Sequence, residues 1–346
     1  MHSKTKIEKI EEVLKKHQAP SFVLAQIKHA IYKEGILDYE KITTLPKSLR
    51  TALKSELGDV LSLKNIFETE GGQAHKVLFE TRDGQKIESV RMLFRPDDDV
   101  HESICISSQS GCALGCKFCA TGGIGFKKNL TSEEISDQVL YFRTKYDTGS
   151  ISFMGMGEPL SNPDNVFDAL KTLTDPLLLG ISDRKINVST VGIVPQIKRL
   201  NEEFPQVNLA FSLHSPFSKQ RKELMPITNA YPIDEVFKVL DERIILTKRR
   251  IFLAYILLGG VNDSDEHVKG LVDVIKKRGK HSYLYHVNLI RFHPGPMELF
   301  DKPSIARVGK FQEILNKNNI SNSLRQSFGL NIYAACGQLY GGYNKK

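Results

Sequence analysis

The chain lacks the apolar stretches that place a protein in or across a membrane. Its 346 residues contain no run approaching the roughly 18 uninterrupted apolar residues of a membrane span. The first residues, MHSKTKIEKIEEVLKK, include no apolar segment followed by a small-residue cleavage site, so no secretory signal is visible. We therefore expect a cytoplasmic protein that does not associate with membranes.

Cysteine is also scarce, with five residues in the whole chain. In the cytoplasm, cysteines bind metals or take part in catalysis more often than they form a disulfide framework. Three of them, Cys112, Cys116 and Cys119, fall within the stretch GCALGCKFCATGG at the spacing C-x3-C-x2-C. The other two, Cys105 and Cys336, lie outside that stretch.

No second pair of cysteine and histidine ligands accompanies this trio. Thiolates at this spacing suit Zn2+ or an iron–sulfur cluster. A zinc site needs a fourth ligand, for which His101 and His214 are candidates, and it usually consists of two separated ligand pairs. A [4Fe–4S] cluster held by three cysteines instead leaves one iron open, and that iron can chelate the amino and carboxylate groups of S-adenosylmethionine (SAM). The spacing favours the cluster, with zinc and unligated thiols as alternatives.

Acidic residues are fewer than basic ones, which gives a formal net charge of +8 and a pI near 9.0. Basic runs occur at TKRR (247–250) and KKRGK (276–280), and residues 1–56 carry eleven basic against seven acidic side chains. A basic surface is typical of proteins that bind nucleic acids. Because a solvated lysine-rich surface is the commoner cause of such a charge, the charge alone does not establish an RNA partner.

The pattern of apolar residues predicts an α/β fold in three parts. Residues 1–60 are predicted to form a small helical accessory domain. Residues 61–98 should form a β-hairpin extension, because two β-rich runs flank Asp83-Gly84. Residues 99–346 alternate six apolar strands with helices, which implies a parallel sheet. Six units are fewer than the eight of a closed TIM barrel, so we predict a partial (β/α)6 barrel.

Glycines and polar side chains follow the predicted strands, and the chemistry of such folds lies at these strand ends. The cysteine stretch follows the first strand. The clusters after the second, third, fourth and sixth strands are Gly155-Met-Gly157-Glu158, Ser189-Thr190, Ser212-Leu213-His214 and His293-Pro294. Because the strands are predicted to be parallel, all of these clusters should meet at one edge of the sheet.

Four stretches of the sequence resemble one known family. They are ISSQSGCALGCKFCATG, FMGMGEPL, FSLHSP and AACGQLYG. Together they are similar to the Cfr/RlmN family of radical-SAM methyltransferases, which modify an adenosine of large-subunit ribosomal RNA. The resemblance extends over essentially the whole chain. It implies a radical-SAM partial barrel, a [4Fe–4S] cluster and two SAM molecules per turnover.

The resemblance assigns the cofactor ligands residue by residue. It implies that Cys112, Cys116 and Cys119 hold the cluster. The implied SAM contacts are Gly157, Glu158, Ser189, Ser212, Leu213 and His214. Glycines let a backbone approach the methionine moiety closely, and a glutamate can accept from its ammonium group. His293 stands where the family usually has asparagine, so either its imidazole replaces that contact to SAM or the contact is lost.

The resemblance also gives the two remaining cysteines a role. It implies that Cys336 takes a methyl group from one SAM. A 5′-deoxyadenosyl radical from a second SAM abstracts hydrogen from this S-methyl group, which then adds to adenine. Cys105 attacks the sulfur of Cys336, releasing methylated RNA and leaving a transient disulfide. Glu88 is implied as the base that removes the proton from the adduct carbon.

Two products are possible within the family. Cfr-type enzymes methylate carbon 8 of an adenosine in the peptidyl-transferase region of 23S rRNA and confer resistance to drugs that bind there. RlmN-type enzymes methylate carbon 2, with tRNA as a further substrate. The stretches SPFSKQRKELMPI, YHVNLIRF and RQSFGLNIYAACGQLYG look closer to Cfr, whereas GEPL is nearer RlmN. We therefore predict carbon 8.

The resemblance further implies partners. The N-terminal helices and the basic runs would grip RNA through its phosphates while a flipped adenine enters the barrel mouth. We also expect an electron donor such as a flavodoxin or ferredoxin, and a monomer. Two other classes compete with this interpretation. One is an RNA-binding protein with a structural zinc and no activity; the other is a radical-SAM enzyme acting on a peptide or small molecule, which would leave Cys105 and Cys336 unexplained.

Overall fold

One large sheet runs through most of the chain. The computed structural model describes residues 4–94, 101–294, 300–335 and 337–339, so the predicted catalytic residue Cys336 lies outside the described residues. The strands in chain order are β1 (Leu63–Gly71), β2 (Ala74–Thr81), β3 (Lys86–Phe94), β4 (His101–Cys105), β5 (Gln109–Gly111), β6 (Phe126–Asn129), β7 (Ser150–Phe153), β8 (Ile186–Thr190), β9 (Asn208–Ser212), β10 (Ile251–Leu257), β11 (Tyr285–Arg291) and β12 (Asn322–Leu324). Strands β5 and β6 form a separate ribbon, and the other ten follow one another across the sheet in chain order.

The predicted parallel strands are confirmed. Strand β4 and the run from β7 to β11 are the six that the sequence indicated, and each pairs in parallel with its neighbour. A seventh parallel strand, β12, was not predicted; it is short and pairs with β11. Since β1 and β12 form the two edges among the described strands, the sheet stays open. The fold is therefore a mixed α/β fold with a partial barrel.

The predicted hairpin is also confirmed, and it is part of a larger element. Strands β2 and β3 pair antiparallel around the turn at Asp83-Gly84, where Gly84 has a φ of +80°. Strand β1, which was not predicted, pairs antiparallel with β2. Strand β3 in turn pairs antiparallel with β4, so this three-stranded β-extension (β1–β3) continues the barrel sheet.

Helices cover the sheet and form the N-terminal region. They are α1 (Lys6–Lys16), α2 (Phe22–Tyr32), α3 (Lys47–Leu57), α4 (Ala120–Gly123), α5 (Ser132–Arg143), α6 (Pro163–Thr174), α7 (Val194–Glu203), α8 (Ser218–Leu224), α9 (Ile233–Thr247), α10 (Asp265–Lys276) and α11 (Ile305–Lys317). No described helix has both the length and the apolar character of a membrane span.

The starts of two helices, α5 and α6, were predicted from a few local residues. The stretch Thr131-Ser-Glu-Glu134 predicts a capping box, and the structure has one at the start of α5. Asn162-Pro163 predicts a cap followed by a first-turn proline, and α6 does begin at Pro163. The Asn162 side chain, however, donates to the carbonyls of Ser108 and Leu130 instead of capping its own helix.

The N-terminal helices are tied to the barrel by a buried ion pair. Lys6 Nζ lies 2.5 Å from Asp137 Oδ1 in α5, and the backbone and hydroxyl of Ser62 both donate to Asp137 Oδ2. One continuous cluster of buried apolar residues extends from Ile10 in α1 to Leu339. The helices therefore share a core with the sheet, and the domain boundaries at residues 60 and 98 remain a prediction.

Candidate active site

The cysteine stretch is held by the small ribbon of β5 and β6 and does not directly follow β4. Cys112 comes straight after β5, and Cys119 is the residue before α4. Gly111 has a φ of +72°, and a Cβ added there would lie 1.8 Å from the carbonyl oxygen of Gly125. Only glycine fits this crossing, which explains why the stretch opens with one.

The three cysteines line one cavity together with the ends of the parallel strands, and we name it the cysteine cavity. The predicted site residues that line it are Cys112, Cys116, Cys119, Gly157, Glu158, Ser189, Ser212 and His214. The cysteine stretch and the clusters after β7, β8 and β9 therefore meet here, whereas His293, which follows β11, does not line this cavity. His101, a candidate zinc ligand, begins β4 and so lies at the opposite end of that strand.

The thiols of this cavity need a positive charge in order to act as ligands. Burial raises the pKa of Cys112 to about 11, and it raises the pKa of Cys116 as well. A thiol in such surroundings ionises at neutral pH only beside a cation, and the iron of a cluster supplies that charge. The donor set therefore fits a thiolate-bound iron–sulfur cluster.

The GMGE stretch after β7 is packed tightly against the end of β4. A Cβ added to Gly157, whose φ is +93°, would lie 2.5 Å from the Cβ of Gln109, and one added to Gly155 would lie 2.6 Å from the carbonyl oxygen of Ile106. The Gln109 side chain also accepts from the backbone N–H of Glu158 at 2.9 Å. Both glycines are thus required by close backbone packing beside the cavity.

Glu158 presents a buried carboxylate to the cavity. Its oxygens accept from the backbone N–H groups of Leu160 at 3.1 Å and Val191 at 3.0 Å. Burial raises its pKa to about 7, and among the described residues no basic side chain pairs with it. A carboxylate without a cationic partner suits the ammonium group of SAM.

His214 is neutral and has a fixed tautomer. Its Nδ1 accepts from the backbone N–H of Ile256 at 3.0 Å, so its proton resides on Nε2. Burial, followed by the charge of Arg221, lowers its pKa to about 3. The ring also packs edge-on against Phe118 at 4.9 Å. His214 can therefore donate one hydrogen bond to a ligand in the cavity.

Leu213 does not line the cysteine cavity, although the resemblance implies a SAM contact there. Its side chain is fully buried in the main core. Its backbone carbonyl accepts from Arg221 Nε at 3.0 Å. Leu213 thus lies at the site through its backbone, which a sequence pattern cannot distinguish from a side-chain contact.

Arg221 is a structural residue of this site that the sequence analysis missed. Although it is fully buried, its guanidinium donates to the carbonyls of Val191, Ser212 and Leu213 and to the Thr228 hydroxyl, at distances of 2.6–3.0 Å. It therefore fastens the ends of β8 and β9 to each other. An arginine in the stretch SKQRKEL looks like an ordinary surface charge, so no local pattern predicts its burial.

Cys105 and His293 line a second cavity, which we name the Cys105 cavity. The Nε2 of His293 lies 2.9 Å from the Ser327 hydroxyl, and burial lowers the His293 pKa to about 4. The predicted SAM contact is thus placed beside Cys105 and not among the residues of the cysteine cavity. The two cavities share a wall, whose residues are Met154, Ile290, Arg325 and Leu339.

The residues on either side of Cys336 hold the cysteine loop. Residues 325–335 and 337–339 form what we call the C-terminal segment. The backbone N–H of Ala120 donates to the carbonyl of Gly337 at 2.9 Å, and the Thr121 hydroxyl donates to the carbonyl of Leu339 at 2.5 Å. Ala335 lines the Cys105 cavity and Gly337 lines the cysteine cavity. Ala335 and Gly337, which flank Cys336 in the sequence, therefore belong to the linings of different cavities.

Glu88 lies on β3, outside both cavities. It is buried, and its Oε1 forms an ion pair with Lys76 Nζ at 2.9 Å. Its backbone carbonyl accepts from the Ser107 hydroxyl at 2.6 Å. In the antiparallel pairing of β3 with β4, Val90 lies opposite Cys105. Glu88 lies two residues before Val90 on β3.

Comparison with known proteins gives this arrangement a context. Residues 106–273 match the model of the Radical SAM superfamily. The chain is 49% identical over 346 residues to the "Ribosomal RNA large subunit methyltransferase Cfr" of Staphylococcus aureus, covering 99% of this chain and 98% of that protein. A protein of the same name from Bacillus velezensis is 47% identical over 100% of this chain and 99% of its own length.

The chain belongs to the Cfr/RlmN family of radical-SAM methyltransferases. A crystal structure of a radical SAM methyltransferase from Sphaerobacter thermophilus agrees with it at a TM-score of 0.90 and 38% identity, and the match covers 98% of each chain. Radical-SAM proteins use a [4Fe–4S] cluster and SAM, and these are the cofactors of this family member. Membership therefore decides against the zinc alternative.

The first prediction concerns the cluster. Cys116→Ala removes one of the three thiolates, so anaerobically purified protein should contain little iron and lose its brown absorbance. Cys105→Ala is the matched control, because Cys105 lies in the other cavity; it should retain the iron content of the unchanged protein. Iron and acid-labile sulfide are measured chemically. Full iron content in Cys116→Ala would refute the assigned ligand set.

The second prediction compares two buried arginines. Arg221 holds the C-terminal ends of the strands, whereas Arg243 donates to Asn201 and to the carbonyl of Val207, just before β9 begins. Replacing either with methionine should lower the free energy of unfolding by about 3 kcal/mol, because buried acceptors lose a charged donor. Only Arg221→Met should weaken SAM binding to the folded protein, as measured by calorimetry. Equal loss of SAM affinity in both variants would contradict a local role for Arg221.

Proposed function

We propose that this protein methylates carbon 8 of an adenosine in the peptidyl-transferase region of 23S rRNA, through an S-methylcysteine at Cys336. The names of its relatives support ribosomal RNA of the large subunit as the substrate. Such a modification confers resistance to drugs that bind the modified region of the ribosome. We further propose that the protein works as a cytoplasmic monomer.

One observation carries the proposal: two cavities share a wall, and Ala335 lines one of them while Gly337 lines the other. The first cavity has the three cysteines, the unpaired carboxylate and the neutral histidine that suit a cluster with SAM. The second contains Cys105. Adjoining cavities suit a methyl carrier, because such a carrier must meet the cofactor and then the adenine.

Each residue of the site has a separate proposed role. When bound, the cluster and SAM supply a methyl group and the radical that abstracts hydrogen, and an electron donor such as a flavodoxin or ferredoxin supplies the electron. Glu158 and His214 orient the methionine moiety. Cys336 carries the methyl group to adenine, Glu88 removes the proton from the adduct carbon, and Cys105 attacks the Cys336 sulfur to release the product.

Carbon 2 is the alternative position, as in RlmN-type enzymes, and tRNA the alternative substrate. Identity of nearly one half to proteins named Cfr supports carbon 8, as do the Cfr-like stretches around Arg221 and in the C-terminal segment. Both types share the proposed catalytic residues, so the site geometry does not discriminate between them. Mass spectrometry of nucleosides from the modified RNA separates 8-methyladenosine from 2-methyladenosine and so identifies the methylated carbon.

The basic runs lie far from the proposed reaction. Residues 247–250 lead into the start of β10, and residues 276–280 lie just before β11, whereas both cavities are at the carboxyl ends of the strands. Burial lowers the pKa of Arg249, and the nearby charge of Arg184 lowers it further. We propose that this edge binds RNA phosphates at a distance from the target adenosine.

The third prediction traps an intermediate. Cys105→Ala can still form the covalent bond between Cys336 and adenine but has no thiolate to resolve it, so protein joined to RNA should accumulate. Cys336→Ala has no methyl carrier and should give neither product nor adduct. Denaturing electrophoresis and mass spectrometry of the peptide around AACGQLYG detect the bond. Normal turnover by Cys105→Ala would rule out its resolving role.

The fourth prediction concerns RNA binding and its salt dependence. Replacing the exposed Lys248, Arg250 and Lys280 with alanine should make the slope of log K against log salt shallower by about 2, at roughly 0.7–0.9 per phosphate contact. For comparison, a second triple variant replaces Lys15, Lys41 and Lys47, in the N-terminal helical region, with alanine. These point variants are preferable to deleting residues 1–57, which would leave Asp137 buried without Lys6. An unchanged slope in the variant of Lys248, Arg250 and Lys280 would show that the edge of the sheet at the starts of β10 and β11 does not bind RNA.

A further inference from the structure

Lys76 is a buried lysine that no step of the proposed reaction uses. It lies on β2 in the β-extension, and its side chain is only 10% exposed. A lysine is rarely buried unless its charge is paired. Its partner is Glu88, with Nζ and Oε1 2.9 Å apart, and the Glu88 side chain is 2% exposed. Lys76 and Glu88 therefore form a buried ion pair.

The same ammonium group reaches the C-terminal segment. Lys76 Nζ donates to the carbonyl of Tyr333 at 3.4 Å, three residues before Cys336. Tyr333 is in the left-handed region with a φ of +51°, and the backbone N–H of Ala334 donates back to the carbonyl of Gly329 at 2.9 Å. The segment thus turns sharply where Lys76 contacts it, and a side chain other than glycine holds a costly conformation there.

The β-extension supports the rest of this turn by close packing. A Cβ added to Gly329 would lie 2.8 Å from the Cβ of Ala74, and one added to Gly71 would lie 2.5 Å from Asn331 Oδ1. The rings of Phe94 and Phe328 pack edge-to-face with their centroids 4.6 Å apart. The β-extension therefore supports this turn of the C-terminal segment by packing against it, and Lys76 makes the charged contact between the two.

The register of the sheet places Lys76 in line with Cys105. Lys76 lies opposite Val90, and Val90 lies opposite Cys105 on the next strand. Residues that face each other across paired strands project from the same side of the sheet, so Lys76 and Cys105 share one face, with Glu88 diagonal to Lys76. One ammonium group thus contacts the proposed base and the chain that carries the proposed methyl carrier.

We propose that Lys76 is a positioning residue that fixes Glu88 and the segment bearing Cys336 relative to each other. This inference rests on the proposed function, since it takes Glu88 as the base. An ammonium group 2.9 Å from Oε1 fixes the position and orientation of the Glu88 carboxyl group. The lysine also restrains Tyr333, so the adduct formed at Cys336 is presented to the same carboxylate. Lys76 itself touches neither the substrate nor a cofactor.

The test compares Lys76→Met, Lys76→Arg, Glu88→Gln and the Lys76→Met/Glu88→Gln double variant in the full-length, cluster-loaded enzyme. Lys76→Met should slow product release about tenfold or more and accumulate the protein–RNA adduct, since general bases contribute about 100-fold or more. Lys76→Arg should recover much of the rate. The double variant should be no slower than Glu88→Gln alone, because positioning by Lys76 has no effect on product release once the base is gone.

A second measurement does not depend on activity. In cluster-free protein, hydrogen exchange of residues 329–335 should be about tenfold faster in Lys76→Met than in the unchanged chain, because the turn loses its contact. Lys6→Met is the matched control, since it breaks a buried ion pair of the same kind whose two residues line neither cavity. It should lower stability without altering exchange of that segment or the amount of adduct.

The outcomes separate the two hypotheses. If Glu88→Gln releases product normally, the proposed base is wrong and the proposed function must be revised. If Glu88→Gln accumulates adduct while Lys76→Met stays within twofold of the unchanged enzyme, the role of Lys76 is wrong and the base assignment stands. Equal adduct accumulation in Lys6→Met would also overturn it, by showing that general destabilisation produces the effect.

Discussion

The placement of the C-terminal segment is the constraint on which the proposed chemistry depends. Hydrogen bonds from Ala120 and Thr121 hold it against the cysteine loop, while Lys76 and the packing at Gly329 hold it against the β-extension. In the sequence, Cys336 falls between the residues that form these two sets of contacts. A methyl carrier needs this arrangement, because a freely moving thioether would react slowly with a short-lived radical and with a specific carbon of the base.

The barrel supplies the rigid half of the site through buried polar side chains at the strand ends. Arg221 binds the carbonyls that follow β8 and β9. Asn262 plays a similar part, since it donates to the carbonyls of His214 and Ile256 and accepts from the backbone N–H of Leu258. Parallel strands leave their terminal carbonyls without sheet partners, and these side chains satisfy them. These hydrogen bonds hold the strand ends that line the cavity.

The sequence predicted the parts of this architecture that local patterns control. Apolar strands, the turn at Asp83-Gly84 and the capping box at Thr131 are encoded within a few residues, and each was confirmed. The contacts that needed the folded chain were missed. Arg221 resembles a surface arginine, and Lys76 a polar residue of an alternating strand, until their partners are known. Likewise, nothing in RFHPGP indicates that His293 lies beside Cys105.

Isotope tracing tests the central claim, that the methyl group passes through Cys336 between two adjoining cavities. Protein is first loaded with a trideuterated methyl group on Cys336, freed of unbound SAM, and then given unlabelled SAM, a reductant and RNA for one turnover. If the methyl group passes through Cys336, 5′-deoxyadenosine should gain one deuterium and the new methyl group of the RNA should carry two. A product methyl group without deuterium, or unlabelled 5′-deoxyadenosine alongside product, would contradict it.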